Sequence, residues 1–167
     1  VNFTDLTVNA PTGWEWDFNA DGSVDSTDQN PAHVYGAGTY SVTLTASNTA
    51  GSGSHTKTAY IDVLPQPPTA DFGADATAGV APLTVGFVDL STNDPTSWVW
   101  DFENDGTDDS TAQNPSHTYD TAGTYTVRLE ASNAGGADTE IKTDYIIVSA
   151  TGGGVALVPS GDPAAVE

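Results

Sequence analysis

The chain of 167 residues sets 23 acidic side chains against three basic ones, a formal net charge of −20 at neutral pH. A field of that sign repels phosphate backbones and anionic headgroups, so nucleic acid is not an expected partner, and the lack of cysteine removes disulfide and thiol chemistry. Hydrophobic residues still make up 37% of the chain and recur at regular spacing, which argues against a disordered acidic segment, while no apolar run is long enough for membrane insertion.

In chain order, Asn2-Phe3-Thr4 is a lone sequon, so a glycan on Asn2 is expected only in a secreted, glycosylating setting. The stretch "WEWDF" places Trp14, Trp16 and Phe18 on one side of a strand by period-two alternation. An acidic loop follows, from Asp17 to Asp28. "TYSVTLTAS" then alternates with Tyr40, Val42, Leu44 and Ala46 inward, and "TAYIDV" closes the set. The segment "LPQPPT" reads as a linker that its prolines keep extended.

Everything before the linker then repeats. Trp14, Trp16, Asp17, Phe18, Asp21, Gly22, Asp25, Asn30, Pro31, His33 and Tyr35 recur 84 positions later as Trp98, Trp100, Asp101, Phe102, Asp105, Gly106, Asp109, Asn114, Pro115, His117 and Tyr119. One inserted residue near Thr121 shifts the offset to 85, after which Tyr40, Val42, Leu44, Lys57, Tyr60 and Ile61 recur as Tyr125, Val127, Leu129, Lys142, Tyr145 and Ile146. A tandem duplication is therefore expected, with a first domain at 1–63, a linker at 64–69 and a second domain at 70–148. A glycine-rich linker with a strand-like tail occupies 149–167. Turn residues cluster between the strands and no helical stripe appears, so each unit should be an antiparallel sandwich of about seven short strands.

The run "APLTVGFVDLSTNDPTSWVWDFENDG", followed by "NPSHTY", "GTYTVRLEASN" and "YIIV", resembles the PKD domain, an immunoglobulin-like module with a W-D-F-G-D-G core motif. The resemblance covers almost all of 66–148 and most of 1–63. It implies an all-β chain of two tandem immunoglobulin-like (PKD-type) antiparallel β-sandwiches, the first lacking its N-terminal strand within the chain. "DFNADGSVD" and "DFENDGTDD" depart from the usual motif by an expanded acidic loop, which is similar to a variant frequent in archaeal cell-surface proteins. The resemblance thus implies an extracellular or cell-surface setting.

The acidic loops carry the spacing of a cation-wrapping loop. Asp17, Asn19, Asp21 and Asp25 fall at relative positions 1, 3, 5 and 9, with Gly22 at the sharp turn of position 6 and the Ser23 carbonyl at position 7. Asp101, Glu103, Asp105, Asp109, Gly106 and Thr107 repeat the arrangement. One Ca2+ per domain is expected, and magnesium fits less well because it keeps several waters. Position 12 is Asp28 in the first loop and Ala112 in the second, so the first site has one more candidate ligand and is expected to bind the more tightly. The competing reading is an Asx-rich turn whose carboxylates cap backbone amides. Trp16 and Trp100 read as core anchors, and His33 and His117 as packing residues. No nucleophile–base pattern or phosphate loop stands out, so an enzyme is not expected.

Alignment of the repeats sets Val1 opposite Val85, leaving "PPTADFGADATAGVAPLT" without a counterpart ahead of the first unit. Joined tail to head, "PAAVE" plus "VNFTDLT" resembles "APLT" plus "VGFVDLS", and Val155, Ala156, Leu157 and Val158 fall near "TADF". Donated-strand assembly is the resulting expectation: residues 155–166 of one chain, Val166 included, complete the first sandwich of the next. Such a heterologous contact makes a homo-oligomer, a head-to-tail polymer suited to a surface filament, sheath or layer. The alternatives are a fragment or a piece of a longer array, acting as a spacer or ligand-binding accessory region of a secreted hydrolase or adhesin.

Overall fold

Alternating apolar and polar residues build the first sheet as expected: β1 (Gly13–Asp17), β2 (Gly38–Asn48) and β3 (Gly51–Val63) pair antiparallel in that order. The computed structural model describes residues 1–151. The strand expected at Val155–Val158, together with Val166, lies outside the described residues. The chain forms two compact units, and the described residues contain no helix.

In the first unit Trp16 stands opposite Leu44, and Val42 opposite Lys57. Cross-strand partners share a face, so Trp16, Val42, Leu44 and Lys57 all project from one side of the sheet. The facing layer is small. It consists of the opening segment, held by the bridge of Asn2 with Ala32 and by Phe3 N–H donating to the Pro31 carbonyl at 2.8 Å. Phe3, Trp16, Phe18 and Val42 are the buried residues between the two. A bulge interrupts β3, where the register shifts between Tyr40 and Val42 and Ala59 takes a φ of 49°. The second unit repeats the left-handed residue at Asp144, with a φ of 53°.

The second unit has both layers. Strands β5 (Ala78–Val80), β10 (Gly136–Ser149), β9 (Gly123–Asn133) and β7 (Ser97–Asp101) form one sheet in that order. The other is β4 (Phe72–Ala74), β6 (Leu83–Asp89) and β8 (Ser116–Tyr119). The segment carrying β4 and β5 crosses between sheets: β4 runs antiparallel to β6, and β5 runs parallel to β10. Phe72, Val85, Trp100, Val127, Leu129 and Ile146 are fully buried between them. The second unit is thus the expected immunoglobulin-like sandwich.

Residues 1–63 contain no counterpart of β4 or β5, in line with the sequence alignment. The cost is visible in burial. Leu129 and Ile146 are wholly buried, whereas their counterparts Leu44 and Ile61 are only half-buried. Leu129→Ala should therefore cost about 2–5 kcal/mol and Leu44→Ala less than half of that. Urea unfolding followed by tryptophan fluorescence measures both, and equal losses would contradict the difference in packing.

Candidate functional site

The two acidic loops fold alike because each aspartate serves the backbone. Gly22 and Gly106 both lie at a φ of 90°, where a side chain would be strained, so position 6 is the turn residue the spacing predicted. The Gly22 and Asp21 amides donate to the Asp17 carboxylate at 2.8 and 3.2 Å, and those of Gly106 and Asp105 to Asp101 at 2.9 and 3.1 Å. Ser23 and Thr107 amides donate to Asp21 and Asp105, each at 2.8 Å. Across the loop neck, Asp25 accepts from the Phe18 amide at 2.6 Å and Asp109 from the Phe102 amide at 2.7 Å. Amide capping is therefore real in both loops. It leaves lone pairs over, since a carboxylate has about four acceptor positions.

The loops differ in how many charges they bring together. In the second, carboxylate oxygens of Asp101, Glu103 and Asp109 lie within 4.8 Å of one another. Asp101 is 1% exposed, the one charged residue buried among the described residues. Burial, with the charges of Asp109, Asp105 and Asp101, pushes the Glu103 carboxyl up to about 7. His117 Nε2 stands 2.9 Å from Glu103 Oε1, and burial lowers the histidine's affinity for a proton. Its ring stacks on Phe102 at 4.5 Å, as His33 stacks on Phe18 at 4.4 Å, the packing role expected of both.

In the first loop, Asn19 takes the place of Glu103 and donates through Nδ2 to Asp21 at 2.9 Å. The Ser23 amide holds the Asp21 carboxyl below its ordinary range. Asp28 is exposed, and its backbone carbonyl accepts the Trp16 indole N–H at 3.0 Å. Ala112 does the same for Trp100 at 2.9 Å. Position 12 thus contributes a carbonyl to the tryptophan in both copies, which needs no particular side chain.

One feature was not anticipated. Asp5 and Asp89 each brace a half-buried tryptophan, accepting from Trp14 Nε1 and Trp98 Nε1 at 2.8 Å, with Gln29 and Gln113 as second donors. The signal was present, since both pairs recur at the offset of 84. An open groove of about 1030 Å³ lies in the first unit, lined by Phe3, Trp16, Val42, Leu44, Lys57 and Tyr60 among others, where the repeat alignment leaves a strand unmatched.

In the second unit that position is filled. Lys142 Nζ donates to Asp71 Oδ1 at 2.8 Å and to the Phe72 carbonyl, and lies 4.7 Å from the Phe72 ring centroid. The Lys142 hydrogen bond holds the Asp71 carboxyl below its ordinary range. Lys57, its counterpart, lies 4.2 Å from the Tyr60 ring centroid and makes no ion pair among the described residues.

Two pH effects follow from these groups. Hydrogen bonding by Thr7, Trp14 and Gln29 takes the Asp5 carboxyl from 3.8 to about 2, despite an opposing effect of burial. Its contribution is complete above 3.8 and fades as pH falls through 2, so the melting-temperature gap between wild type and Asp5→Asn should close over that interval. Glu103 has the opposite sign. Its folded-state value near 7 exceeds the ordinary 4.5, so folding is opposed increasingly from pH 4.5 and fully above 7. Measured in chelator, Glu103→Gln should match wild type below pH 4.5 and melt higher above pH 7.

The PKD domain family matches residues 1–63 and 65–148. The PKD1 domain of Vibrio anguillarum Epp is 30% identical, covering 51% of this chain and 99% of its own, with a TM-score of 0.42. The PKD1 domain from the Vibrio cholerae metalloprotease PrtV is 31% identical over 48% of this chain and 96% of its own, with a TM-score of 0.39. A likeness of fold alone extends to the amphioxus IgVJ-C2 molecule, 15% identical over 87% of this chain and 96% of its own, with a TM-score of 0.61. PKD domains are typically extracellular and generally non-catalytic, and among the described residues no helix is long and apolar enough to cross a membrane. The chain belongs to the PKD domain family, as two tandem immunoglobulin-like β-sandwich domains.

Proposed function

We propose that this chain is a non-enzymatic, extracellular structural subunit that assembles head to tail, each first domain being completed by a strand from the next molecule. The observation behind this reading is the open groove of the first unit, at the place where Phe72 and its strand sit in the second. An unfilled sheet edge beside exposed apolar surface is unfavourable in a free chain and favours strand addition. The candidate donor is the tail at 155–166, whose Val155, Ala156, Leu157, Val158 and Val166 supply apolar residues in a strand-like run. Electron microscopy of the full chain beside a version ending at Ala150 tests this. Filaments from the full chain alone are expected. Monomers in both would leave a spacer or accessory region instead.

Calcium is proposed as the stabilising ion of the loops. The donor set is hard oxygen throughout, and the three gathered carboxylates of Asp101, Glu103 and Asp109 suit a cation of that kind. When bound, the ion would neutralise the repulsion that raises Glu103. The second loop is the stronger candidate because Asn19 weakens the charge of the first. An ion that binds the folded state alone must raise the melting temperature. A rise of a few degrees in millimolar calcium is therefore expected, largely lost in Asp101→Asn. No shift in wild type would remove the ion from this reading.

A further inference from the structure

Resting on strand uptake by the first unit, the chemistry of its groove selects which strand enters. The groove is not a featureless apolar slot, because Lys57 stands at its edge on the core-facing side of β3. Its cross-strand partner Val42 is buried, and directly opposed residues point the same way. Lys57 is exposed while the groove is open, and a strand that covers this face must supply its ammonium with an acceptor. The second unit supplies one. Both of Lys142's hydrogen-bond acceptors come from the segment that fills the gap, the Asp71 carboxylate and the Phe72 carbonyl, and its ammonium lies over the rings of Phe72 and of Tyr145.

Magnitudes separate two roles within that segment. The side chains of Lys142 and Asp71 are 25% and 54% exposed, and an ion pair so wetted contributes little stability. Phe72 is fully buried, against Trp100, Phe87 and Tyr145 at 5.3 to 6.4 Å, and its burial is the larger stabilising contribution. The lysine therefore sets register and identity. A one-residue slip would swing the aromatic ring out to solvent and take the acid away from the ammonium.

We infer that Lys57 is the specificity-determining residue of the first unit's groove, and that its preferred occupant is an extended segment with an acidic residue immediately before an aromatic one. The occupant runs antiparallel to residues 3–5, the counterparts of Phe87–Asp89 with which β4 pairs. It then crosses to run parallel to residues 62–64, the counterparts of Ile147–Ser149 with which β5 pairs. The chain's own tail offers "VALV", apolar but without an acid in that position. An acid–aromatic strand is therefore the tighter-binding occupant of the groove and the tail the weaker one.

The test is a binding titration with synthetic peptides, on the full chain and on the version ending at Ala150. One peptide is the 66–84 sequence, QPPTADFGADATAGVAPLT; the other is the tail, 152–167. The 66–84 peptide is expected to bind more tightly than the tail peptide. Asp71→Asn in the peptide should weaken it about fivefold, and Phe72→Ala about a hundredfold or more. In Lys57→Gln protein, with folding checked by circular dichroism, the Asp71→Asn effect should vanish. The inference is overturned if that effect persists without Lys57, or if the tail peptide binds more tightly, an outcome that leaves strand uptake itself intact. Failure of both peptides to bind would overturn strand uptake as well.

Discussion

The seating of Phe72 between two sheets decides the difference between the halves of this chain. That one ring contacts Phe87, Trp100 and Tyr145 and is itself fully buried. Its strand ties the two layers together, pairing with β6 on one side before the chain crosses to β10 on the other. Where the counterpart is missing, the rest loosens in a way that follows from hydrophobic burial. The opposing layer shrinks to the opening segment paired with residues 31–33, Leu44 and Ile61 become half-exposed, and an apolar groove opens beside Trp16. An antiparallel sheet tolerates water on one face only. In the first unit the groove leaves the Trp16 and Leu44 face of the sheet partly open.

The acidic loops solve a different problem with the same local chemistry. Each must turn sharply at the end of the Trp strand, and a chain leaving a sheet has amides that no ladder satisfies. Asp17 and Asp101 take two such amides each, while Asp25 and Asp109 clamp the neck. Carboxylates and tryptophans are neighbours because the strand places its rings inward and its last residue, an aspartate, at the loop. Only the second loop goes on to crowd three charges together. Its carboxylates are thus over-supplied for capping alone, which is the physical reason to look for a cation there.

Much of this was legible in the sequence. Period two fixed which residues face inward, the order of motifs pointed to the family, and the 84-residue offset left β4 and β5 without counterparts among residues 1–63. The turn role of Gly22 and Gly106 was legible because position 6 admits few residues. Asp28 was harder, since its position acts through a backbone carbonyl and its side chain carries no signal. The Asp5–Trp14 and Asp89–Trp98 braces were missed although both residues repeat, because nothing in linear spacing tells which acid meets an indole nine residues away. The Lys142–Asp71 pair was equally opaque, because its partners lie 71 residues apart and Asp71 has no counterpart among residues 1–63.

Amide hydrogen exchange at two positions tests strand completion most directly. In the second unit the Leu90 amide donates to the Asp71 carbonyl at 2.8 Å, and the Ile147 amide to the Thr77 carbonyl at 2.9 Å. The incoming segment therefore protects both. Their counterparts are Leu6 and Asp62. These two amides should exchange freely in the chain ending at Ala150 and become as slow as Leu90 and Ile147 in assembled full-length protein. Free exchange at Leu6 and Asp62 in the assembly would show that no strand enters the first unit there, and would contradict completion by strand addition.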